Sequence, residues 1–297
     1  MKKFLTVLLA LIFSLSCFAT NRALLVGIGK YPKQTTGWKV IHGDADVALL
    51  KPLLASRGFT DIHTLVNAEA TKSAILSELN KLVASAKPGD KIYIHFSGHG
   101  QPIEDANGDE IEDDFPFDQS FIPYDAYRSP IKGKYSGEKH LIDDELTPIL
   151  NKLKTKVGKT GGVFMAVDAC YSRGMERGEY PELEAIDDPD VLNSARGCGP
   201  NDAFIVPGRT SYLKRVPKPQ RFTPGNGTLT VVSACKADQR NFEYKAGNRM
   251  YGSLSYYIST LLKNGADFSE WANSFINQGY KSTKIFKYQT PTIEIHR

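Results

Sequence analysis

The chain has 297 residues, 41% hydrophobic and 24% charged, with a formal net charge of +4 and a mean hydropathy of −0.31. That composition excludes a disordered tail, a coiled coil and a collagen-like repeat, and it leaves a globular chain able to bury one large core. So small a charge excess leaves no electrostatic footprint for nucleic acid.

At the N-terminus Lys2 and Lys3 precede an apolar run from Phe4 to Phe13, which ends in small residues around Ser14 to Ala19. This pattern predicts a secretory signal over 1–19, cut after Cys17-Phe18-Ala19, with 20–297 as one domain. The apolar run is short for a membrane span, and a lipid anchor on Cys17 is the alternative. No other stretch is long and apolar enough to span, so the sequence predicts an exported protein without a transmembrane segment. Cys170, Cys198 and Cys235 would remain after cleavage. An odd number leaves at least one thiol outside any intrachain bridge, and whether Cys198 and Cys235 pair stays open. Neither C-x-x-C nor H-E-x-x-H occurs, so nothing suggests a zinc centre.

From Asn21 short apolar runs alternate with amphipathic segments. A strand over 23–28 is followed by a helix over 44–57, a strand over 62–66, a helix over 71–86 and a strand over 92–96. Thr71 is a suitable N-cap, and Pro88-Gly89-Asp90 supplies the turn that ends its helix. A long connection over 101–140 then leads to a helix over 143–156 and a strand over 162–168. A second long connection covers 171–227. The chain closes with a strand over 228–234, helices near 252–264 and 268–278, and a short strand over 290–295. Apolar strands alternating with helices predict an α/β fold with a mainly parallel sheet covered by helices on both faces. Long connections in such folds are commonly functional.

Two strands run directly into chemistry-bearing residues. Lys91 to Phe96 leads into Ser97-Gly98-His99-Gly100, and Gly162 to Val167 leads into Asp168-Ala169-Cys170. Ligand crevices of open parallel sheets lie at the carboxyl ends of strands, so both motifs reach one rim. An imidazole beside a thiol is a nucleophile and base pair, and the amides of Gly100 and Cys170 are suitably placed to face an acyl oxygen. A buried cysteine used only as apolar filler is the bland reading of Cys170, against which the flanking Gly-His-Gly weighs. His95 sits within the apolar run and reads as a core residue, while His42, His63, His140 and His296 show no comparable partners.

These blocks resemble the caspase-like cysteine peptidases, specifically their metacaspase branch. His95 to Gly100 resembles that family's histidine motif and Val167 to Ser172 its cysteine motif. Further similarity lies in Gly43-Asp44-Ala45-Asp46, Phe117 to Asp125, Leu141 to Leu146, and Ser233 to Gln239. The resemblance implies a three-layer αβα sandwich. It implies Cys170 as nucleophile, His99 as acid and base, and Gly100 with Cys170 as the oxyanion hole. It also implies an acidic substrate pocket at Asp46, Ser97 and Asp168, and therefore protein or peptide substrates with Arg or Lys before the cut. Caspases that cut after Asp use an arginine that aligns near Val40, beside Lys39, so an Asp-specific peptidase is one alternative. A catalytically silent binding module is another, and a dyad used for transpeptidation is a third.

The chemistry of such a dyad needs no cofactor. Calcium-dependent members of the branch bind the ion at aspartates matching Asp118, Asp143 and Asp144. Their further acid after the nucleophile is replaced here by Arg177, between Glu176 and Glu179. The acidic run from Glu104 to Asp118 does not fit an EF-hand, because its glycine, Gly108, falls at position 4 where that loop needs position 6. Tyr171, and Arg173 before Gly174, also depart from the family's pattern. The 171–227 connection carries Arg173, Arg177, Arg196, Arg209, Lys214, Arg215, Lys218 and Arg221, any of which is an expected point of self-cleavage.

Overall fold

The computed structural model describes residues 19–105, 117–170, 195–196, 203–206, 222–225, 227–236 and 239–297. Residues 1–18 of the expected 1–19 signal, most of the acidic run, Tyr171, Arg173, Arg177 and Cys198 lie outside the described residues.

A six-stranded sheet runs in the order β11-β8-β7-β3-β1-β2. Its strands are β1 (Asn21–Gly27), β2 (Phe59–Val66), β3 (Lys91–Ser97), β7 (Gly162–Asp168), β8 (Thr228–Ser233) and β11 (Thr292–His296). All neighbours pair in parallel except β11, which runs antiparallel to β8 at the edge. Strand side chains alternate between two cores, as the pleat requires. Leu24, Val26, Ile92, Ile94, Val163 and Met165 face one side, where Leu79 of α3 (Lys72–Ser85) and Leu150 of α4 (Asp143–Val157) pack. Ala23, Leu25, Tyr93 and Phe164 face the other. There they meet Leu50 of α2 (Gly43–Ser56), Ile258 of α5 (Ser253–Lys263) and Trp271 of α6 (Phe268–Ile276). This is the expected α/β three-layer sandwich with a mainly parallel central sheet. A four-residue helix, α1 (Lys33–Thr36), follows β1.

The 101–140 segment corrects the sequence reading. It is not simply a loop, because β4 (Gly100–Glu104), β5 (Phe117–Phe121) and β6 (Leu141–Ile142) form a small antiparallel sheet. Pro102 and the shortness of β6 hide it from periodicity. A second hairpin, β9 (Glu243–Ala246) with β10 (Arg249–Gly252), was likewise not expected. Among the described residues no helix is long and apolar enough to cross a membrane.

Candidate active site

The geometry of the site follows from strand register. In the β3–β7 pair Ser97 lies opposite Asp168, so His99 and Cys170 each stand two residues beyond the same rung. Gly98 N–H donates to the Asp168 carbonyl and continues the pairing at 3.3 Å. A Cβ on Gly100 would run into the Cys170 carbonyl, so this approach of the two loops requires glycine. Ile122 N–H donates to the His99 carbonyl, which makes Gly100↔Phe121 a non-hydrogen-bonded pair whose N–H points away from β5.

His99 is 3% exposed and held on three sides. Its ring stacks on Trp38 with centroids 4.9 Å apart and lies 5.1 Å from Tyr31, whose hydroxyl accepts the His99 N–H at 3.0 Å. The Lys39 carbonyl takes the Nε2 proton at 2.9 Å. That bond fixes the tautomer, and Nδ1, buried without a hydrogen-bond partner, keeps the lone pair. Burial pushes His99 down to about 4, so its ring is neutral at physiological pH. Cys170 is buried, and Asn241 N–H donates to its sulfur at 3.1 Å, which stabilises negative charge there.

The most informative residue is Arg196. It is fully buried, and its guanidinium occupies the acidic pocket. Nη1 lies 2.9 Å from Asp46 Oδ2, 2.5 Å from Ser97 Oγ and 3.7 Å from Asp168 Oδ1. Nε and Nη2 both donate to Glu243 Oε1, at 3.0 and 2.7 Å. The Arg196 backbone is also held, since its N–H donates to the Asn241 carbonyl at 2.8 Å and its carbonyl accepts the Cys170 N–H at 2.9 Å. A guanidinium in an acidic pocket, with its own carbonyl on the amide of a cysteine, is the posture of a bound peptide paired to a strand edge.

The pocket is prepared for a cation. Burial raises the Asp46 carboxyl, Arg196 pulls it back down, and Asp168 pushes it up again. For Arg196 burial alone would lower the guanidinium, but Asp46, Glu243 and Asp168 reverse this and hold it raised. Asp168 is braced by Ser255 N–H at 2.7 Å and Asn241 Nδ2 at 2.8 Å, and Asp46 by Gly252 N–H at 3.0 Å. A Cβ on Gly252 would collide with Asp168 Oδ2, so the pocket wall there requires glycine.

The structure therefore gathers Asp46, Ser97 and Asp168 around one guanidinium, and sets His99, Gly100 and Cys170 at the adjoining rim. His95 is a core residue, bonded to Tyr93 at 2.8 Å and Ser255 at 3.0 Å. His42, His63, His140 and His296 pair with other polar side chains: His63 with Glu78 at 2.8 Å and His296 with Glu294 at 3.2 Å, both on the surface. His42 Nδ1 meets Glu243 Oε2 at 2.6 Å, and His140 Nε2 meets Gln101 Oε1 at 2.9 Å. Sequence reasoning missed Glu243, Asn241 and Gly252, which lie 73, 71 and 82 positions beyond Cys170 in the chain.

Asp118 lies in β5, while Asp143 and Asp144 open α4. In the β5–β6 pair Ser120 faces Ile142, the residue that caps α4, so β5 pairs with the chain up to the start of that helix. Among the described residues no cluster of three or more His, Cys, Asp or Glu could hold a metal ion. The donor chemistry suits calcium, but the described acids alone do not complete a site.

Comparison with known proteins agrees with this architecture. A family model described as metacaspase, peptidase C14 domain, matches residues 21–176. Metacaspase-1 of Schizosaccharomyces pombe is 29% identical over 86% of this chain and 62% of its own length. Metacaspase-1A of Aspergillus oryzae is 31% identical over 84% of this chain and 62% of its own. The chain thus spans about three fifths of these relatives' length. A solved protein of Geobacter sulfurreducens superposes with a TM-score of 0.60 at 19% identity, covering 93% of each chain. Caspase-1 of Spodoptera frugiperda superposes with a TM-score of 0.51 at 11% identity, covering 93% of this chain and 86% of its own. Both structural likenesses speak for the fold alone. With a family model matching more than half of the sequence, the chain belongs to the metacaspase family of peptidase C14 domains.

Proposed function

We propose that the protein is a cysteine endopeptidase that cuts after Arg or Lys, and that its first substrate is its own Arg196–Gly197 bond. The observation that carries this reading is Arg196, whose guanidinium fills the Asp46, Ser97 and Asp168 pocket while its carbonyl rests on the Cys170 amide.

The steps follow from the groups present. His99 Nδ1 takes the thiol proton of Cys170, and the sulfur attacks the carbonyl carbon of the residue in the pocket. The resulting oxyanion is met by the Cys170 amide, which already donates to the carbonyl in the pocket, with the Gly100 amide as the second donor. The imidazolium then gives its proton to the leaving amine. Water, deprotonated by the same Nδ1, hydrolyses the thioester and restores the thiol. Because His99 is buried and neutral, it starts each step able to accept a proton.

Cleavage after Arg196 would separate β7 from β8 in the chain, but the two strands pair along their length from Gly162↔Thr228 to Val167↔Ser233, so the fragments stay together. The other basic residues singled out in the 171–227 connection lie outside the described residues. Intact-mass measurement of the purified protein tests this reading. A cut between Arg196 and Gly197 is expected, absent in Arg196→Gln and in Cys170→Ala. An uncut wild-type chain that also fails to hydrolyse Arg and Lys peptides would refute it.

Two further elements belong to the proposal. Export with loss of 1–19 is supported by the Lys2-Lys3 and apolar pattern, and the same mass measurement reports the mature N-terminus. Stimulation by calcium is supported by Asp118, Asp143 and Asp144, with no chemical step routed through the ion. Activity with and without a chelator reports it. An acid-lined pocket disfavours an Asp-specific enzyme, since a substrate carboxylate would meet Asp46, Asp168 and Glu243.

A further inference from the structure

The guanidinium of Arg196 is held from two directions, and only one of them was anticipated. Asp46 and Ser97 hold the tip through Nη1, at 2.9 and 2.5 Å. Glu243, at the start of β9, takes the side of the fork through Nε and Nη2. These last two nitrogens are features of arginine alone. A lysine side chain ends one atom short of Nη1 and places all its donors on a single nitrogen.

Glu243 is also held from the side away from the guanidinium. His42 N–H donates to Oε1 at 2.8 Å and His42 Nδ1 meets Oε2 at 2.6 Å, so the carboxylate is clamped by the N-terminal approach to α2. Burial by itself would raise this carboxyl, but Arg196 and then His42 hold it below the ordinary range. The pocket therefore presents carboxylates at two separate places. One ammonium can meet the tip or the flank but not both, so a lysine forgoes the contacts that Nε and Nη2 of an arginine make with Glu243.

We propose that Glu243 is the specificity residue that makes this pocket prefer arginine to lysine. The inference rests on the reading of the pocket as the site for the residue before the cut. It adds a discrimination that Asp46, Ser97 and Asp168 do not supply, because their contacts converge on Nη1.

The test uses the self-processed enzyme and two peptides that differ only in Arg or Lys before the scissile bond, with kcat and KM measured separately. For the wild type, kcat/KM is expected to favour Arg by about tenfold or more. Glu243→Gln should lower that ratio by about tenfold, mostly by losing Arg turnover while Lys turnover changes little. Glu243→Asp, which keeps the charge but withdraws it by one methylene, should fall between, and it serves if the glutamine variant does not fold. A merely structural role would lower both peptides together. An unchanged ratio in a folded variant overturns this inference while leaving the pocket reading intact. A wild-type enzyme inert toward both peptides removes the pocket reading, and this inference with it.

Discussion

Replacing Cys170 with alanine is expected to lower peptide hydrolysis by about 10⁴-fold or more, because a nucleophile that acts as a unit with its base leaves little residual catalysis. The substitution removes one buried sulfur and the Asn241 N–H contact to it, and it leaves the β3–β7 register untouched. The variant should therefore fold, keep Arg196 in the pocket and persist as one uncut chain. His99→Ala should cost as much, and the double variant no more than either alone, since members of one catalytic unit are not additive. Turnover of an Arg peptide, with thermal melting as the control for folding, checks all three. Additive losses would mean that the two residues work separately.

The second large effect is expected at the pocket. Asp46→Asn keeps the shape and removes a charge that lies 2.9 Å from the guanidinium in a fully buried site. Withdrawing one partner of such a pair commonly costs a hundredfold or more, so kcat/KM for Arg peptides should fall by about 10²-fold or more. The loss should also carry a pH signature. Burial raises Asp46, so in the wild type kcat/KM for Arg peptides climbs with pH through a region above the ordinary carboxylate range, as the pocket acid ionises. Asparagine cannot ionise, and that limb should vanish. A pH profile that keeps it would assign the limb to another group.

Much of this site was legible in the sequence for a specific reason. A strand followed at once by its functional residue carries its own placement, because parallel register puts neighbouring strand ends on one rim. Ser97 and Asp168 are themselves paired residues, so the motifs around them converge on the rim through the register of β3 and β7 alone. Asp46 was reachable through its block at the start of α2. Glu243 was not. Its partners are His42, 201 residues away, and Arg196, 47 away, and it opens a four-residue strand in a hairpin without the apolar alternation of the main sheet. Arg196 was visible only as one of several basic residues in a long connection. Nothing local marks it, since its selection depends on which stretch of chain reaches both the pocket and the Asn241 edge. The β4–β6 sheet was hidden for a related reason, because its pairings join short segments separated by the acidic run.

Arg196 also makes sense of the three buried carboxylates. Asp46, Asp168 and Glu243 share a site with almost no exposure, an arrangement that is costly without a cation. The chain supplies its own, which stabilises the pocket before any substrate arrives. If the proposed cut after Arg196 occurs, exchange of this side chain for that of another peptide is the step that would open the site to other proteins.

The most direct measurement of the central claim is covalent capture of the self-processed enzyme by a peptide carrying an electrophilic ketone after Arg, followed by mass mapping of the adduct. A single adduct on Cys170 is expected, lost in His99→Ala and formed much more slowly when Arg is replaced by Asp. Labelling of Cys235 instead, or faster capture by the aspartyl reagent, would contradict it.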